Sequence, residues 1–88
     1  MANLWADKID TKGEFVDLGE ISGITLETNK TYLFQASSTI TICIDSNKPT
    51  SGGFTIYSGP IVRFELESGE KVWVKTFNGL KTSVNLAS

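Results

Sequence analysis

Few side chains in this chain can do acid–base or nucleophilic chemistry. Among 88 residues there is no histidine and a single cysteine, Cys43. Histidine is the usual general base near neutral pH and the usual activator of a serine or cysteine nucleophile, so the commonest catalytic constellations are missing. Carboxylates remain: Glu65 and Glu67 fall on one face of an alternating segment, and Asp7 and Asp10 lie near the start. Two carboxylates are enough for glycoside hydrolysis. A chain this short leaves little room for a deep cleft, however, and alternate Glu residues are also what the solvated face of a strand presents. The expectation is a protein that is not an enzyme.

Ligand chemistry is equally sparse. One Cys without His makes a structural zinc site implausible. Asp45 and the polar loop after it offer oxygen ligands, but without the dense acidic spacing of a dedicated calcium site. Gly52-Gly53 and Gly59 are followed by no helical pattern, so no helix N-terminus is placed to hold a phosphate, and they read as turn residues. Asn29-Lys30-Thr31 fits the glycosylation sequon; with no signal peptide ahead of it, the match reads as chance. No metal and no cofactor is expected.

The aromatic residues are the remaining chemistry. Trp5, Trp73, Tyr57 and Phe77 all have places outside a main core, and exposed aromatics on a strand serve sugar stacking and protein interfaces. The plainer reading has Trp73 covering a second small core, under an N-terminal arm carrying Trp5. Cys43 reads as a small half-buried residue.

The elements that must position these groups are strands. Apolar residues alternate in segment after segment, with Gly, Pro, Asn and Ser between them. Residues 1–13 are polar and mixed and read as an N-terminal arm or a short first element. Strands are expected at residues 14–18, 31–36, 39–45, 54–57, 61–67, 71–77 and 80–86, with residues 24–27 open as another. Residues 46–53 form a polar loop, and Pro60 opens a strand, where its missing N–H does least harm. Tyr32, Phe34 and Ala36 share one face, as do Ile40, Ile42 and Ile44. No useful length shows helical spacing, so helix is scarce or absent. The fold class is all-β: a single small β-sandwich or barrel-like domain of about seven short strands over residues 14–88, preceded by the arm.

The last three strands can be given a register on the assumption that they form consecutive hairpins through Ser68-Gly69 and Asn78-Gly79. Two-residue loops would put Lys71 and Lys75 on the core face, which costs several kcal/mol, roughly. Three-residue loops oppose Phe64 to Val72, Val62 to Val74 and Val72 to Val84, leaving Val62, Phe64, Leu66, Val72, Val74, Leu80, Val84 and Leu86 inside. Outside, Glu65 then opposes Lys71, Arg63 opposes Trp73, and Lys75 opposes Lys81 as one like-charge pair worth only a few tenths of a kcal/mol, roughly. The expected contact surface is therefore Arg63, Trp73, Lys75 and Phe77, together with Trp5 on the arm.

Bulk properties narrow the partners. Eight basic and ten acidic residues give a formal charge of −2, which disfavours general nucleic-acid binding. No apolar run is long enough to cross a bilayer, and no membrane partner is expected. The N-terminus does not read as a signal peptide, and the opening Met reads as that of a complete chain made in a cytoplasm. A thin core without disulfide or metal raises the expectation of an oligomer.

The order of segments resembles small head and tail accessory proteins of tailed bacteriophages. The residues that carry the resemblance are Thr31-Tyr32-Leu33-Phe34-Gln35, Ile40-Thr41-Ile42-Cys43-Ile44, Lys48-Pro49-Thr50-Ser51-Gly52-Gly53, Tyr57-Ser58-Gly59, Glu70-Lys71-Val72-Trp73-Val74-Lys75 and Thr82-Ser83-Val84-Asn85-Leu86, within residues 29–86. It implies a non-enzymatic virion component, a capsid decoration (cement), head-fibre or tail accessory protein. Such a protein would be made in the host cytoplasm and located in the virion. Its implied partners are a major capsid or tail protein and further copies of itself, a trimer being favoured, with docking through a terminal arm. On that reading residues 1–13 are needed for docking and dispensable for folding. A different class, a carbohydrate-binding module stacking sugars on Trp73 and Tyr57, is the alternative. A single-stranded nucleic-acid binder using Arg63, Lys71, Lys75 and Lys81 fits least well.

Overall fold

The computed structural model describes residues 3–23, 25–57, 59, 61–77 and 81–87, with side chains from Ile9 onward. The elements in chain order are β1 (Asn3–Ile9), β2 (Val16–Asp17), α1 (Leu18–Ser22), β3 (Thr31–Ala36), β4 (Ile40–Asp45), β5 (Phe54–Ile56), β6 (Val62–Glu65), β7 (Lys71–Thr76) and β8 (Thr82–Ala87). They form two four-stranded antiparallel sheets, ordered β1-β8-β3-β6 and β2-β7-β4-β5. The expected all-β sandwich is the fold observed.

Alternation sets the inner faces. Tyr32, Phe34, Ala36, Phe64, Val84 and Leu86 of the first sheet are buried, as are Ile40, Ile42, Ile56, Val72 and Val74 of the second. All are even-numbered, because a strand turns successive side chains to opposite faces and the connections preserve that phase. The largest buried groups cluster: the Tyr32 and Phe64 rings stack with centroids 5.6 Å apart, and Phe34 tilts against Phe64 at 6.5 Å. The buried Tyr32 hydroxyl is satisfied by the Glu27 N–H at 2.8 Å.

The last three strands are not hairpins. β6 lies in the first sheet beside β3, β7 lies in the second between β2 and β4, and β8 returns to the first between β1 and β3. The pairs Phe64–Val72, Val62–Val74, Val72–Val84, Glu65–Lys71, Arg63–Trp73 and Lys75–Lys81 do not form. Instead Lys71 opposes Asp45, Trp73 opposes Cys43, and Lys75 opposes Thr41. The observed pairing sets opposite charges across from each other at Asp45–Lys71 and avoids the like-charge pair. The turn at Ser68-Gly69 is tight, with the Glu70 N–H donating to the Glu67 carbonyl at 3.0 Å, but it carries the chain from one sheet to the other. The inner face expected for these strands is nevertheless correct among the described residues, because it depends on alternation and not on the neighbour. Leu80 and the Asn78-Gly79 turn lie outside the described residues.

Two further differences concern the N-terminal third. The strand expected over residues 14–18 ends at Asp17, whose Oδ1 accepts the Gly19 N–H at 3.0 Å and caps α1; Gly23, at φ 73°, closes it in the left-handed region. Five helical residues are too few for a periodicity to show in sequence. Residues 25–27 form no strand, and Ile24 lies outside the described residues.

Residues 1–13 contain β1, which pairs along β8 from Asn3–Ala87 to Ile9–Thr82 with an irregularity between Ala6 and Ile9. Ile9 belongs to the core. Beyond it, the Thr11 N–H donates to Thr76 Oγ1 at 3.0 Å, the Thr76 N–H donates to Thr11 Oγ1 at 2.8 Å, and the two hydroxyls lie 3.1 Å apart, all buried. The segment is thus tied to the first sheet through β8 and to the second through β7.

Removing residues 1–13 is therefore expected to abolish cooperative unfolding, read by urea titration with circular dichroism, because β8 loses a neighbour and the core loses Ile9. Thr76→Val is expected to cost about 1–3 kcal/mol in the same titration, because it strands the buried Thr11 N–H.

Candidate contact surface

The sequence-derived surface does not assemble on one face. Arg63 is exposed on the outward side of β6, in the first sheet. Trp73 and Lys75 point outward from β7, in the second. Phe77 follows β7 and is exposed. Trp5 sits in β1 opposite Asn85, and its side chain lies outside the described residues. The expected Arg63–Trp73 contact is thus replaced by a separation onto opposite sheets.

The outer face of the second sheet is largely engaged within the chain. Trp73 is half-buried, and its Nε1–H donates to the Asp45 carbonyl at 2.9 Å. Lys71 Nζ lies 5.9 Å from the Trp73 ring centroid and 3.7 Å from Asp17 Oδ2. Lys75 Nζ lies 4.9 Å from the centroid of Phe15, a ring that is itself buried. Phe15 thus lies beside Lys75 of β7, and the side chain of Trp5, the residue expected over Trp73, lies outside the described residues.

The uncovered apolar surface is elsewhere, at the end of the sandwich where β5 and β6 form the sheet edges. Among the described residues β5 pairs only with β4 and β6 only with β3, so each presents one free edge. Phe54 shares the inward face of β5 with buried Ile56 and opposes buried Ile42, yet it is 79% exposed. Ile44, on the inward face of β4, is 36% exposed. These side chains have core orientation without core cover. The reason is length: β5 has three residues and β6 four, too few to extend one sheet over the other at this corner. Between them lies an open hollow of about 640 Å³, lined by Ile42, Ile44, Phe54, Ile56, Val62 and Phe64 among others. Tyr57 and Ile61, at the two ends of the connection from β5 to β6, are also exposed.

Gly53 fixes how the polar loop enters this end. At φ 92° it occupies the left-handed region, and a Cβ there would fall 2.8 Å from the Ile42 carbonyl oxygen. Only glycine lets the chain approach β4 this closely.

Of the carboxylates considered for catalysis, Asp10 Oδ1 accepts the Lys12 N–H at 2.9 Å. Glu65 and Glu67 are exposed, and the Asp7 side chain lies outside the described residues. Among the described residues no group of three or more potential metal ligands gathers. Sequence reasoning missed the β5–β6 end although the alternation of Phe54 and Ile56 was legible, because alternation gives orientation and not cover. Compared with known protein families, curated proteins and solved structures, the chain matches none.

Phe54→Ala is expected to change unfolding free energy by less than about 0.5 kcal/mol, whereas Ile42→Ala, one position across the same pair, is expected to cost about 2–5 kcal/mol. Paired denaturant titrations read the contrast, and a large loss at Phe54 would show that it is covered in the isolated chain.

Proposed function

We propose that this protein is a non-enzymatic contact module of a virus particle. Its kind is the capsid decoration (cement) or head/tail accessory protein of tailed bacteriophages, and it binds neighbouring capsid or tail subunits through the β5–β6 end. The observation that carries the contact role is the exposure of Phe54 and Ile44, inward-facing side chains beside two unpaired strand edges. An apolar patch beside free backbone N–H and C=O groups suits a partner that adds a strand and inserts side chains into the hollow. The assignment to a particle rests on the resemblance over residues 29–86. A carbohydrate platform is less well served, since its principal ring, Trp73, is half-buried and its N–H is committed.

The test is on particles. The tagged protein, produced in cells where the virus assembles, is expected to co-sediment with purified particles and to be seen on them by immunogold labelling. Phe54→Asp is expected to reduce that attachment at least about tenfold by placing a charge in the apolar hollow, with the thermal melt unchanged. Particles that never carry the protein would sink the virion assignment.

A further inference from the structure

The free edge of β6 carries a charge pattern that is complementary to itself. Arg63 and Glu65 flank Phe64, both are exposed, and among the described residues neither has an ion-pair partner. We propose that the β6 edges of two copies pair antiparallel about a two-fold axis at Phe64, joining two first sheets into one continuous eight-stranded sheet. The inference rests on reading the β5–β6 end as a contact surface, and it names a second copy of this chain as an occupant.

Register selects the axis. In an antiparallel pair, opposed side chains lie on the same side of the sheet, so a two-fold pair keeps both inward faces together for any residue on the axis. With Arg63 on the axis, two arginines oppose each other. With Glu65 on the axis, two glutamates do. With Val62 on the axis, neither charge finds a partner. Only with Phe64 on the axis does each Arg63 oppose Glu65 of the other copy, twice over, with no like-charge pair. The inward side is then wholly apolar: Phe64 opposes Phe64, and Val62 opposes Leu66. Val62 and Phe64 also line the hollow, so the same pairing brings the two hollows together at the junction. Closed two-fold pairing also uses up the β6 edge, so that edge adds no further strand, while the β5 edge stays open.

Charge reversal tests this, because the substituted residues are exposed and the predicted pattern is particular to a self-pair. By light scattering the wild-type chain is expected at twice its 9.6 kDa mass. R63E leaves two acidic residues on the edge and E65R two basic ones; each is expected to weaken self-association at least about tenfold. Mixing R63E with E65R restores two opposite-charge pairs and is expected to recover a one-to-one dimer, as is the double variant R63E/E65R on its own. A wild-type chain that stays monomeric at about 1 mM, a trimer, or single variants that dimerise unchanged would overturn the proposal. Particle sedimentation separates the two readings. Attachment lost with Phe54→Asp while R63E and E65R leave the mass unaltered keeps the contact surface and removes the second copy. Charge-dependent dimers with Phe54→Asp still fully attached keep the pair and remove the β5–β6 end as the particle contact.

Discussion

The structure depends on the contact between two inner faces, each built from alternate residues of short strands. No single strand here can bury its apolar face alone, and no disulfide substitutes, Cys43 being the only cysteine. Each sheet must therefore cover the other. The even-numbered residues from Tyr32 to Leu86 supply nearly all of that contact, with the Tyr32–Phe64–Phe34 cluster in the first sheet and the β4 and β7 aliphatics in the second. The polar devices serve the same contact. Thr11 and Thr76 satisfy each other's buried groups beside the core, and Tyr32 meets a backbone N–H rather than leaving a hydroxyl orphaned.

Because the two sheets are finite, the quality of cover varies along the sandwich. β7 and β4 pair over six residues, and the aliphatics at the middle of that pair are fully sealed. At the β5–β6 end the strands shorten, and the same inward alternation that buries Ile42 and Ile56 leaves Ile44 and Phe54 in solvent. Structure and proposed function meet at this point. A fold that must bury one face of every strand here leaves core-type side chains uncovered among the described residues, beside strand edges whose backbone groups are unpaired.

The five residues first considered as a surface show how placement changes the meaning of a side chain. Trp73, Lys71 and Lys75 share one outer face, but Lys71 meets Asp17 and Lys75 lies over Phe15, so much of that face is satisfied internally. Arg63, moved to the other sheet, becomes a charge without an ion-pair partner among the described residues, on the edge strand β6 beside Glu65. The residue types were legible as contact chemistry. The company each keeps was not, because it depends on which strands become neighbours.

Sequence by itself determined the all-β class, the approximate strands and the inward set, since all three follow from the two-residue repeat of an extended chain and from local turn chemistry. It also made the absence of histidine and of paired cysteines plain. Tertiary structure decided what repeat and turns leave open. A tight turn such as Ser68-Gly69 can return a strand beside its predecessor or carry it across to the facing sheet, and both outcomes bury Val72 and Val74. The choice fell to long-range pairing, which set Lys71 opposite Asp45 and placed β8 between β1 and β3. The same long-range pairing made residues 3–9 a sheet strand and left β5 and β6 at the edges. Exposure at Phe54 follows from where the opposite sheet stops, and that is a property of the assembled layers rather than of any local stretch of chain.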